Sequence, residues 1–137
     1  SRLYVERSLF MDYNELLEKA KTASKYSYSP YSKFAVGACI LTANDKTYCG
    51  CNFENSSYGM TICAERNAIG TAIADGEREI KAVAIYSPNS KHCYPCGACR
   101  QVMSEFKSQD GVDIILEGDD GIEIFKLADL LPEGFNL

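Results

Sequence analysis

The stretch Cys63 to Gly76, "CAERNAIGTAIADG", decides how the rest of the chain is read. Ala64, Ala68, Ile69, Ala72 and Ile73 recur at helical spacing on one face, which predicts a helix over 63–75 packed on a neighbouring layer. Gly76 supplies the left-handed stop. The start of this helix is chemically unusual, because a thiol at Cys63 and a carboxylate at Glu65 share its first turn, where the helix dipole favours negative charge. A glutamate in a first turn is most often a solvated partner of that dipole. It acquires chemistry only if other residues join it.

Working outward, Asp12 and Glu15 resemble a capping box, and Leu16, Leu17, Ala20 and Ala23 then predict a helix over 13–26, ended by the Pro30 loop. Small and apolar residues over 34–41, the Asn44-Asp45-Lys46 turn and residues 47–53 predict an antiparallel hairpin. Beyond the 63–75 helix, 80–86 reads as a strand and 87–95 as a loop. Cys99, Val102, Met103 and Phe106 mark another helix. Strands at 112–116 and 122–125 flank Asp119-Asp120-Gly121, and a short helix at 127–131 precedes Pro132. The order β-β-α-β-α-β-β predicts an α/β fold with one mixed sheet and helices on its faces, a single domain over 1–137. Residues 1–11 read as a candidate flexible extension.

Composition narrows the function classes. A chain of 137 residues with 46% hydrophobic and 24% charged residues is an ordinary globular composition. Its net charge of -5, with both signs interspersed, offers no footprint for a phosphate backbone, which argues against nucleic-acid partners but leaves single nucleosides open. Apolar runs such as 82–85 and 112–116 fall far short of the roughly 20 residues that span a bilayer, so no membrane segment is expected. The opening residues lack the apolar core of a secretory signal. Seven cysteines, an odd number, then argue for a reducing, cytoplasmic setting rather than a disulfide framework.

The second informative stretch is "CYPCGACR", residues 93–100. Cys96 and Cys99 have the spacing that lets two sulfurs bind one ion at a helix start, and the same spacing serves redox dithiols. Cys63 favours the metal. Three thiolates from two helix starts provide three tetrahedral corners and leave a fourth for water, and Glu65 stands where a proton carrier is needed.

The combination of C-A-E at 63–65 with P-C-x-x-C at 95–99 resembles the zinc-dependent cytidine deaminase superfamily, and the three-cysteine set is similar to its small homotetrameric members of pyrimidine salvage. "PYSKFAVGA", "GCNFEN", "CAERNAI", "PCGACRQVMSEF" and "LLPEGF" follow the family's blocks in order over nearly the whole chain. The resemblance implies a three-layer α/β/α sandwich around a mixed five-stranded sheet, with one Zn²⁺ per subunit held by Cys63, Cys96 and Cys99. Glu65 would carry protons from the attacking water to ring nitrogen N3 and to the departing ammonia. Asn52 and Glu54 would bind the ribose 3′-hydroxyl, Phe34 would pack beside the nucleoside, and the Ala64 backbone with the carbonyl before Cys96 would read the pyrimidine. Phe135 would enter a neighbouring subunit's base pocket, and Tyr31 and Tyr58 match residues at subunit contacts.

Three thiolates overcharge a single zinc ion, and the resemblance assigns the relief to Arg66, with Arg100 a second candidate. The expected reaction is conversion of cytidine and 2′-deoxycytidine to uridine and 2′-deoxyuridine plus ammonia, with nucleosides preferred over nucleotides because Glu54 repels phosphate. Blasticidin S deamination shares the same core, and a structural zinc module is the non-enzymatic alternative. Cys39, Cys49, Cys51 and Cys93 read as small buried or loop residues. His92 beside Cys93 reads as a loop residue rather than a second zinc ligand.

Overall fold

The computed structural model describes residues 12–137, and the expected extension at 1–11 lies outside them. Helix α1 spans Tyr13–Ser24 and is capped by Asp12, whose carboxylate accepts from the Asn14 N–H at 2.9 Å. Strands β1 (Gly37–Thr42) and β2 (Thr47–Cys51) form the hairpin, closed by a bond from Thr42 N to Lys46 O, with Asp45 in the left-handed region at φ 60°. Helix α2 (Ala64–Ala74), strand β3 (Ile80–Tyr86) and helix α3 (Gly97–Glu105) follow. Strands β4 (Asp113–Gly118) and β5 (Gly121–Lys126) pair down to Gly118 opposite Gly121, and α4 (Leu127–Leu130) ends the regular structure.

The hairpin strands are shorter at the site end than the alternation predicts. The Asn52 side chain is the reason: its Nδ2 donates to Phe34 O at 2.8 Å and its Oδ1 accepts from Val36 N at 2.9 Å, taking backbone groups that a ladder would otherwise use. Residues 34–36 therefore form a side-chain-held loop.

The sheet order is β2-β1-β3-β4-β5, with β3 and β4 parallel across the α3 crossover and the other pairs antiparallel. Alternation divides each central strand between two cores. Ala38, Ile40, Val83, Ile85, Ile114 and Leu116 pack under α2, α3 and α4. Cys39, Leu41, Ala82, Ala84 and Ile115 face the other way, onto Leu16, Leu17 and Ala20 of α1. The result is the expected three-layer α/β/α arrangement. Cys39 is buried as expected, whereas Cys49 is exposed and Cys51 half-buried, because among the described residues β2 is the edge strand of the sheet. Among the described residues no helix is long and apolar enough to cross a membrane.

Two glycines set how closely the helices approach the hairpin. A Cβ at Gly37 would fall 2.0 Å from Ala20 O in α1, and one at Gly50 would fall 2.7 Å from Ala68 N and 2.9 Å from Ala64 O in α2. In both cases the obstacle is backbone, which cannot swing aside. Gly37→Ala is expected to cost about 3 kcal/mol of stability, a fall of roughly 5–15 °C in Tm by thermal unfolding, and an unchanged Tm would show that α1 is free to lift.

Candidate metal centre

Cys63 is the N-cap of α2 and Cys96 the N-cap of α3, each in extended conformation, so their side chains turn back across the helix starts. Cys99 lies in the first turn of α3, and its N–H donates to the Cys96 sulfur at 3.5 Å. The sulfurs of Cys63 and Cys96 are 3.7 Å apart and those of Cys96 and Cys99 3.4 Å apart, with all three within 4.8 Å of one another. Tetrahedral zinc with Zn–S bonds of about 2.3 Å needs ligand sulfurs about 3.8 Å apart, so the trio fits that ion closely. The helix starts are themselves anchored. Asn67 Nδ2 donates to Cys51 O at 3.1 Å, tying α2 to the hairpin, while Arg100 donates to Pro95 O and Leu130 O, both at 2.8 Å, tying α3 to α4.

That arrangement separates the two arginines. Arg100 is committed to backbone carbonyls, including the one before Cys96, and is not the charge partner of the sulfurs. Arg66 is: its Nη2 donates to the Cys63 sulfur at 3.5 Å. The Cys99 hydrogen bond, reinforced by Arg66 and Cys96, pushes the Cys63 thiol down to about 5 against the opposing effect of burial. Cys99, sharing its proton with Cys63 and buried, is pushed up. Glu65 is 4% exposed, and burial raises its carboxyl to about 7, with the Cys63 charge adding to the rise.

Beside the sulfurs lies a cleft of about 340 Å³. It gathers Phe34, Asn52, Ala64 and Glu65 against Cys63 and Cys96, so six of the expected site residues share one cavity. Phe34 is 37% exposed there, and Asn52 is buried, with Ser27 donating a further bond to its Oδ1. Glu54 does not line the cleft but is bonded to Ser32, which does. Its carboxylate accepts from Tyr31 N at 2.9 Å, Ser32 N at 3.2 Å and the Ser32 hydroxyl, which holds it below the usual carboxylate value. Lys33, inside that loop, has φ 60°. Tyr31 and Tyr58 meet edge to face with ring centres 5.8 Å apart.

Phe135 is not brought to this cleft. It is 68% exposed, with its carbonyl accepting from Gln101 Nε2 at 3.0 Å. Conversely, Cys93 and Tyr94 line the cleft although the sequence reading gave them no part in it. The available signal was spacing, since Cys93, Cys96 and Cys99 form C-x-x-C-x-x-C. Burial and the charges of Glu65 and Cys63 push the Cys93 thiol up to about 11. His92 turns away toward Glu123, 3.2 Å from its Nε2, and stacks on Tyr94.

Residues 11–113 match the family profile described as the cytidine and deoxycytidylate deaminase zinc-binding region. The chain belongs to the cytidine deaminase family. The cytidine deaminase of Sporosarcina psychrophila is 44% identical over 128 residues, 92% of this chain and 93% of that protein. The cytidine deaminase of Mycobacterium tuberculosis H37Rv is 37% identical over 127 residues, covering 93% and 92% of the two chains. The crystal structure of cytidine deaminase from Burkholderia pseudomallei superposes with a TM-score of 0.83 at 40% identity, covering 91% of this chain and 100% of that one. The Mycobacterium tuberculosis crystal structure gives 0.79 at 35% identity over 93% and 99%. The family is a zinc-binding one, and these three sulfurs lie close enough together to bind that ion.

Returning zinc to chelator-stripped protein is expected to restore one ion per chain. At free zinc 100-fold above Kd it should add about 2.7 kcal/mol of stability. In Cys63→Ala both gains should disappear, by metal analysis and thermal unfolding; full zinc retention in that variant would remove Cys63 from the ligand set.

Proposed function

We propose that this chain is a cytidine deaminase that hydrolyses cytidine and 2′-deoxycytidine to uridine and 2′-deoxyuridine plus ammonia. The observation that carries the reading is the buried Glu65 carboxyl, two residues from one of three convergent thiols and inside a cleft of small-molecule size. Zinc held by Cys63, Cys96 and Cys99 would supply the Lewis acidity that lets water attack near neutral pH. Glu65 does the proton work. Burial keeps its protonated and ionised forms close in energy, so it can take one proton from the attacking water and give it to ring nitrogen N3, then take the second from the hydroxyl added at C4 and give it to the amine as the C4–N bond breaks.

The surrounding residues position the nucleoside. Ala64 begins α2, so its N–H has no partner within the helix and is available to the pyrimidine edge. Asn52 retains one amide hydrogen beyond its bond to Phe34 O, and that hydrogen would serve the ribose 3′-hydroxyl. Glu54 accepts from the same hydroxyl while holding the Ser32 loop, and its charge disfavours a phosphate there. Phe34 packs beside the sugar and base. Arg66 withdraws charge from the thiolates by donating to Cys63.

Phe135 completes the pocket of a neighbouring subunit, a role supported by its exposure and by its taking no part in its own chain's cleft lining. The family resemblance supports reading the assembly as a homotetramer, with the Tyr31 and Tyr58 pair at a subunit contact, working in cytoplasmic pyrimidine salvage.

An ultraviolet assay on cytidine, run with zinc quantified, tests the reading. Glu65→Gln should keep zinc and lower kcat by roughly 10²- to 10⁴-fold, and near-normal turnover would sink the assignment. Arg66→Gln should also keep zinc while slowing turnover, so an unchanged rate would remove its role in charge balance. Cytidine should outrun cytidine monophosphate, and the reverse order would contradict the Glu54 assignment.

A further inference from the structure

Cys39 of β1 and Cys49 of β2 stand directly opposite each other in the hairpin register. The bond from Thr42 N to Lys46 O fixes the alternation of that ladder. Thr42 with Lys46 and Ile40 with Tyr48 are hydrogen-bonded pairs, which makes Cys39 with Cys49 a non-hydrogen-bonded pair. At such positions the Cα atoms approach to about 4.5 Å, within the span a disulfide can close without backbone movement. The two sulfurs are 2.8 Å apart, closer than either contact of 3.7 and 3.4 Å in the metal centre.

The two thiols have unequal surroundings. Cys39 is fully buried beneath α1 with Leu16 and Ala20. Cys49 is exposed and opens on a groove of about 730 Å³, bounded by Lys19 and Thr22 of α1 and Asn67 of α2. The contact with Cys39 and the nearby Lys19 charge hold the Cys49 thiol below its ordinary value, and the same contact together with burial pushes Cys39 up. The exposed sulfur is thus the nucleophile and the buried one the resolving thiol. Neither belongs to the cysteine trio of the metal centre.

We infer that Cys39 and Cys49 form a second thiol site, separate from the metal centre, which a low-molecular-weight disulfide converts reversibly into a cross-strand disulfide. The Cys49 thiolate attacks one sulfur of the small disulfide, forming a mixed disulfide and expelling one thiolate. Cys39 then loses its proton and attacks the Cys49 sulfur, forming the Cys39–Cys49 bond and expelling the second thiolate. The protein loses two electrons and two protons, and the small disulfide is reduced to two thiols. Because the pair is already in register, β1 and β2 need not shift, and Asn52 beyond the end of β2 keeps its bonds.

Zinc-loaded protein treated with oxidised glutathione tests this by intact mass, peptide mapping and zinc analysis. The native protein is expected to become lighter by two hydrogens, yield a cross-linked Cys39–Cys49 peptide, keep its zinc, and revert with excess thiol. Cys39→Ser should stop at one glutathione on Cys49, and Cys49→Ser should leave Cys39 unmodified. No mass change, glutathione retained on Cys49 of the native protein, or oxidation confined to Cys51 or Cys93 would overturn the proposal. Exposed Cys49 tolerates substitution, so reaction at Cys39 in Cys49→Ser would also overturn it should Cys39→Ser fail to fold.

Discussion

Everything at the functional end of the molecule depends on two helix starts meeting within sulfur contact. Residues at N-caps are usually oxygen-bearing, and an oxygen cap contributes about 1 kcal/mol to a helix. Here the caps of α2 and α3 are Cys63 and Cys96, and Cys63 makes no capping hydrogen bond at all. The helices are held instead by what they pack on. The alanines of α2 let its backbone settle against Gly50 of β2, and Asn67 and Arg100 fasten the first turns to neighbouring carbonyls. Local helix stability is given up at the site in return for sulfur convergence, and the sheet supplies the difference.

Convergence of three thiols concentrates negative charge, and the surrounding side chains answer it in graded fashion. Arg66 donates to Cys63 while its Nε lies buried without a hydrogen-bond partner among the described residues, a state that costs about 1–3 kcal/mol for a buried donor. Such an arrangement persists because the guanidinium is held toward the sulfurs by charge. Glu65, next in the same turn, meets the opposite fate. Its own burial and the Cys63 charge both favour keeping its proton. The start of one helix thus carries a thiol, a buried carboxyl and a guanidinium in close succession, in environments set by which way each side chain faces.

Much of this was legible in the sequence, and the exceptions have physical causes. The 63–75 helix was readable because its apolar spacing is local, and α2 spans Ala64–Ala74. The alternation of β3 and β4 was readable for the same reason. The trimmed ends of β1 and β2 were not, because they follow from the Asn52 amide competing with the ladder across 16 to 18 residues of chain. Glu54 likewise finds its partners 22 and 23 residues away. Cys93 and Tyr94 entered the cleft through the path of the 87–95 loop, which no periodicity encodes. The exposure of Cys49 depends on β2 being the edge strand among the described residues, a property of sheet order rather than of the residues themselves.

The Asn52 amide has a further consequence. Held by Ser27 and by both Phe34 and Val36 of the 34–36 loop, it cannot rotate without breaking bonds to two separate parts of the chain. The loop that carries Ser32 and Phe34 is fixed in turn by Glu54. The ordering of this wall is therefore completed when the protein folds, and a small molecule arriving in the cleft meets a surface whose conformational entropy has already been lost. Affinity at such a wall is gained through rigidity rather than through additional contacts, and it is sensitive to any change that loosens the Asn52 bonds even where no ligand is touched.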